Sequence, residues 1–181
     1  FALHDEWMQQ LKNTTMPTVL FDNYIENNPN VAYVGTDSYE GIDMAVKHLH
    51  NLGHKKIAFI NGSLFSLVSD QRQEAFENSM RDAGLEIYPE LMGHGYYIPE
   101  TAQYYVPNDI SVVGFDDVKF AAALTPPLTT VRQECNDLGR CAYIILNSLI
   151  HHIPISRTQL RPRLIEREST ARVSTAHAAE E

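Results

Sequence analysis

Cysteine is scarce: Cys135 and Cys141 are the only two in 181 residues. Six positions apart in one helical stretch, they point in different directions, a poor arrangement for a disulfide, and no CxxC or Cys/His spacing offers a metal site. They read as two ordinary thiols of a reducing cytoplasm. Apolar runs are short, none long enough to span a bilayer, and the N-terminus has no basic segment followed by an apolar one. The chain therefore reads as soluble and intracellular, unless processing has removed a signal. Positive charge is also in short supply. With 14 Lys+Arg against 23 Asp+Glu the net charge is −9, a poor counterion for phosphate backbones, and there is no basic stripe or recognition helix to bind DNA by itself. Catalytic signatures are missing as well. GxSxG, Cys/His dyads, P-loops and GxGxxG do not occur, and the carboxylates form no identifiable acid/base pair, so nothing supports an enzyme or a cofactor. Of the eight His, His151 and His152 are adjacent while His48 and His50 lie two apart, without the i, i+4 spacing that puts two ligands on one helix face. No metal is expected.

What is present is an ordinary globular composition, 44% hydrophobic and 20% charged, in which strand and helix signals alternate. Glu6–Leu11 reads as a helix end. Thr18-Val19-Leu20-Phe21 after Pro17 reads as a strand stopping at Asp22, and Val31–Val34 as another. Asp37 or Ser38 is a candidate N-cap for a helix whose apolar stripe is Ile42, Ala45, Val46, Leu49 and Leu52, ended by Gly53. Ile57–Ile60 is a continuous apolar run typical of a buried parallel strand. A helix over about Ser69–Ala83 turns Ala75, Phe76, Met80 and Ala83 inward. Ile110–Phe115 is a second buried strand ending at Asp116-Asp117, Thr129–Val131 is extended, Leu138–Ile150 is an apolar helix, and Leu164–Arg167 is a late strand. Such alternation implies parallel sheets covered by helices, with ligands gathering at the carboxyl ends of the strands. Asp22 and Asp116 both sit at such ends.

Several of these segments carry a family resemblance. Gly53-His54-Lys55-Lys56-Ile57-Ala58-Phe59-Ile60-Asn61-Gly62 resembles the GH-(basic)-x-I-A signature of the LacI/GalR family of transcriptional regulators. Arg72-Gln73-Glu74-Ala75-Phe76 is similar to that family's Arg-x-x-Gly-Phe, and Val106 to Asp117 (VPNDISVVGFDD) matches its VPxDISVVGFDD almost letter for letter. Pro126–Val131 with Leu138-Gly139, and the ending Arg163–Thr170, continue the pattern in order.

The resemblance implies an α/β, two-lobed, periplasmic-binding-protein-like fold. Residues 1–35 would form part of the N-lobe, 36–132 the C-lobe, 133–160 the N-lobe return helix, 161–173 a final C-lobe strand and 174–181 a tail. It implies a repressor core that senses a small, sugar-like effector in the cleft between lobes. The full-length protein would be a homodimer that contacts its DNA operator only through a helix-turn-helix head absent from this chain. A sugar-binding protein of a transport system, which would need export, is the alternative. The resemblance also implies a further helix, strand and helix of about 30–40 residues between Tyr105 and Val106, where this chain has none. Omission of residues is the favoured explanation, because loss of a central strand would expose buried sheet edges.

For the site, the family's matching Asp contacts the effector, which makes Asp116 a candidate acceptor for paired hydroxyls, with neighbouring Asp117 read as a turn residue. Arg72, near the start of a helix facing the cleft, offers a guanidinium fork to hydroxyls or a carboxylate, against the plainer role of an exposed helix Arg in an ion pair. Phe65 and Ser66 fall in the family's variable ligand loop. Tyr97 stands where an aromatic stacks on a sugar face or packs in the core, and Asp22 ends an N-lobe strand at the cleft. Gln133 lies at a lobe crossing, where effector contact competes with an ordinary crossover role.

Overall fold

The computed structural model describes residues 5–21, 25–62, 67–94, 105–155 and 157–173. In chain order its elements are α1 (Asp5–Lys12), β1 (Thr18–Phe21), β2 (Val31–Thr36), α2 (Ser38–Asn51), β3 (Phe59–Asn61), α3 (Leu67–Asp82), β4 (Met92–His94), β5 (Val113–Asp116), β6 (Thr129–Arg132), α4 (Cys135–Ile150), β7 (Arg157–Leu160) and β8 (Arg163–Ile165). Short 3-10 turns occupy Pro89–Leu91 and Ala121–Ala123.

One sheet has the order β1-β2-β7, with both pairings parallel. Its central strand β2, Val-Ala-Tyr-Val-Gly-Thr, is buried at every position, which explains an apolar run in place of strict alternation. Helix α4 lies on this sheet, packing Leu138, Ile145 and Leu149 against Ala32 and Val34. These α4 residues recur at i, i+7 and i+11, one stripe of a 3.6-residue period.

The remaining strands form two further sheets, β3-β4 and β5-β6-β8. Helices α2 and α3 bring Ile42, Val46, Ala75, Phe76 and Met80 together with Ile57, and the Phe59 and Phe76 rings stack with centroids 4.8 Å apart. Each such fully buried side chain contributes about 1.5–3 kcal/mol, so this cluster is a main support of the fold. Asp37 caps α2, accepting the Glu40 N–H at 3.0 Å. The chain passes between the first sheet and the other two at 36–38, 132–135 and 160–163. The three passages are bonded together. The Asp37 N–H donates to the Leu160 carbonyl at 2.9 Å, the Thr36 hydroxyl to Gln133 Oε1 at 2.5 Å, and Arg163 Nε lies 3.3 Å from Glu134.

Two sequence expectations change. Parallel pairing holds except at β8, which runs antiparallel to β6. The apolar runs Ile57–Ile60 and Ile110–Phe115 are hydrogen-bonded as strands only over Phe59–Asn61 and Val113–Asp116, each with one partner strand among the described residues. Tyr105 and Val106 lie in a turn closed by Asp109. The Asp109 N–H donates to the Tyr105 carbonyl at 2.7 Å, and Asp109 Oδ2 accepts the Tyr105 N–H at 2.8 Å, closing a tight turn. Between β3 and β5 lies a cavity of about 560 Å³, walled by residues 56–62 and 109–115 and floored by Ile42, Val46, Leu49 and Phe76.

Candidate functional site

The site is built where β5 and β6 end and the 132–135 passage begins. At the end of β5 the backbone turns into positive φ, +89° at Asp116 and +48° at Asp117. Non-glycine residues adopt this region at a cost of order 1 kcal/mol, Asp among the most tolerant, and the turn sends the two neighbouring carboxylates into different surroundings. On the same strand, a Cβ at Gly114 would stand 2.8 Å from the end of the Leu128 side chain, which would have to shift.

Asp117 is held inward, 6% exposed at its side chain. Arg132 Nε donates to one oxygen at 2.6 Å and Arg167 Nη2 to the other at 2.7 Å, while Arg167 Nη1 donates to the Leu128 carbonyl at 2.6 Å. Burial, taken alone, pushes the carboxyl pKa up; the hydrogen bonds and charges of Arg167 and Arg132 outweigh it and hold the group below its ordinary value. The expectation of a simple turn residue is corrected here. Asp117 clamps β5, β6 and the segment after β8 by a three-residue ion network.

Asp116 is half-exposed and faces the other way. Its Oδ1 accepts from the Gln133 side-chain amide, and Arg72 Nη2 lies 3.6 Å from the same oxygen. The Arg72 guanidinium lies over the Phe115 ring, 3.9 Å from its centroid, and its buried Nε has no hydrogen-bond partner among the described residues. An exposed pair at this separation contributes at most about 1 kcal/mol, so packing on Phe115, more than ionic attraction, places the guanidinium. Helix α3 is set by Asn61 at the end of β3, whose amide donates to the Ser69 carbonyl at 3.0 Å. Gln133 accepts from Thr36 on its other side.

A charged fork, an accepting carboxylate and a carboxamide thus converge from α3, β5 and the 132–135 passage. This set can exchange hydrogen bonds with vicinal hydroxyls and offers no nucleophile with a base beside it. Of the residues expected from the sequence, Asp116, Arg72 and Gln133 are brought together. Asp22, Phe65, Ser66 and Tyr97 lie outside the described residues. Thr36, Asn61 and the Asp117–Arg132–Arg167 network were not foreseen; their partners stand 8 to 97 positions away, with no local pattern to mark them. Among the described residues no cluster of His, Cys, Asp and Glu could hold a metal ion, and no helix is long and apolar enough to cross a membrane.

A model of the periplasmic binding protein-like domain matches residues 100–170. The HTH-type transcriptional repressor PurR of Haemophilus influenzae (strain PittEE) is 32% identical over 196 positions, covering 86% of this chain and 58% of the repressor. The ribose operon repressor of Escherichia coli (strain K12) is 30% identical over 195 positions, with the same coverage of 86% and 58%. The chain belongs to the LacI family of regulators. Solved structures of transcription regulators share its fold. The regulator CcpA of Lactococcus lactis superposes with a TM-score of 0.79 at 23% identity, covering 93% of this chain and 74% of that one. A LacI family regulator from Enterococcus faecium with bound ribose gives 0.77 at 20%, covering 96% and 77%. This LacI-family chain spans 58% of the length of the two repressors it matches. Aligned residues, 86% of 181, number about 156 against 196 positions, so about 40 positions of the Haemophilus repressor face no residue here, room for a further strand and its crossover helix.

Proposed function

We propose that this chain is the ligand-sensing core of a LacI-type repressor, taking a small sugar-like effector in a cleft between two lobes. The division into lobes follows the sheets: β1-β2-β7 with α4 forms one, the other two sheets with α2 and α3 the second, joined by the three passages. The observation that carries the reading is the convergence of Arg72, Asp116 and Gln133 beside those passages. An effector held there bridges the lobes and shifts their relative populations, and the full-length cytoplasmic homodimer carries that shift to its DNA operator through its DNA-binding head. The core performs no chemistry on its ligand. The matched relatives are named repressors, which favours this reading over a transport protein, and the ribose held by the Enterococcus structure makes pentoses the first ligands to try.

A thermal-shift screen tests it, using ribose, other pentoses, hexoses, disaccharides, sugar phosphates and purines against the chain, Arg72→Ala and Asp116→Ala. A ligand at about 100 times its Kd raises stability by about 2.7 kcal/mol, a plain rise in melting temperature. One sugar should produce that rise, and both substitutions should remove it. A cooperative melt unmoved by every sugar overturns the sugar assignment and the site together.

A further inference from the structure

We propose that Thr36 is a positioning residue of this site, acting through Gln133 on the Asp116 carboxylate. The inference rests on the sensor reading and names a residue of the site that touches no ligand.

The hydrogen-bond chemistry leaves one arrangement. An ionised carboxylate only accepts, so the Gln133 group facing Asp116 must be its NH₂. The amide oxygen then faces Thr36, and because that oxygen only accepts, the Thr36 hydroxyl must be the donor, at 2.5 Å. A directed chain results, from hydroxyl to amide oxygen and from amide nitrogen to carboxylate.

The two ends of the chain differ in rigidity. Thr36 is the last residue of β2 and is 4% exposed, and the next residue is tied both to Leu160 and to the first turn of α2. Its hydroxyl is a fixed donor. Gln133 has three side-chain torsions and lies on a passage, so without an anchor it samples many rotamers. Thr36 selects the one that presents the NH₂ to Asp116 Oδ1. That oxygen also faces Arg72, so Oδ2 is the one left to meet a ligand hydroxyl. The Thr36–Gln133 bond also joins the 36–38 and 132–135 passages, so any change in their separation is felt at Asp116.

The test first works without ligand. In ¹H–¹⁵N spectra the Gln133 side-chain NH₂ pair, assigned by its loss in Gln133→Ala, should move in Asp116→Ala. Thr36→Val should move it in the same way, and adding Asp116→Ala to Thr36→Val should move it little further. Thr36→Ser, which keeps the donor, should leave it near its original place, and dispersed backbone peaks verify folding in each variant. An unmoved pair in Thr36→Val, or a full further shift in the double variant, overturns the proposal. Ribose titration adds a second readout. If ribose binds in an Asp116-dependent way, Thr36→Val should weaken it about tenfold and Thr36→Ser should restore it. Equal affinity in Thr36→Val also overturns the proposal. Failure of ribose and every other sugar to bind counts against the sensor reading, while the spectra still decide the role of Thr36.

Discussion

Asp117 shows what a single buried carboxylate contributes. Its folded pKa lies below the ordinary value because Arg167 and Arg132 overcome the effect of burial. A depressed carboxylate adds stability above the unfolded-state pKa, about 3.9, and loses it as pH falls through the folded value. Asp117→Asn removes one charge and leaves Arg167, 15% exposed, without its counterion. Breaking a buried pair costs about 3–5 kcal/mol; because Arg132 is 42% exposed, about 2–3 kcal/mol is expected here. Melting temperature against pH checks this. The variant should be less stable at neutral pH, and the two curves should converge on acidification below about pH 4. Parallel curves at all pH values would exclude the pair as the cause. Sequence reasoning placed the two neighbouring aspartates at a strand end but could not distinguish their roles fully. The Arg partners of Asp117 come from 15 and 50 positions away, and only the fold brings them in.

At the scale of elements, α2 was readable almost in full. Its cap, apolar stripe and terminating Gly53 are all local signals, and the helix runs Ser38–Asn51 with Asp37 capping. Strand β7, Arg-Thr-Gln-Leu, was not legible, since it has no apolar run and owes its extended form to the edge of β2. Helix α2 also supports the site in a way its pattern conceals. A Cβ at Gly41 would stand 2.9 Å from the Phe115 ring and 3.1 Å from Val131. In an open helix Gly→Ala gains about 1 kcal/mol, while crowding a packed core costs about 1–3 kcal/mol. Gly41→Ala should therefore destabilise by about 1 kcal/mol, the crowding being the larger effect. It should also displace the ring on which Arg72 rests, weakening any Arg72-dependent ligand. A denaturation midpoint that rises in this variant would show that Phe115 yields freely and that α2 does not set the guanidinium.

For the molecule as a whole, the segments 56–62 and 109–115 face each other across the cavity. Among the described residues β3 pairs with β4 and β5 with β6, each on one side, with the cavity between them. About 40 positions of the Haemophilus repressor face no residue of this chain, a length that suits a strand and its crossover. Amide exchange should reflect the one-sided pairing. Strand β6 is bonded on both sides and its Thr129, Thr130 and Val131 are at most 1% exposed, so its amides should exchange slowest. Amides of β3 and β5 that face the cavity should exchange far faster, at rates close to those of loops. Open edges also recruit other copies, an attraction opposed by the net charge of −9. Raising salt from about 0.1 M to about 1 M shortens the screening length from about 10 Å to about 3 Å, so self-association in sedimentation velocity should grow with salt. Ion pairs between copies would give the opposite trend. Association that weakens with salt, together with protected β3 and β5 amides, would mean that these edges are already closed in solution.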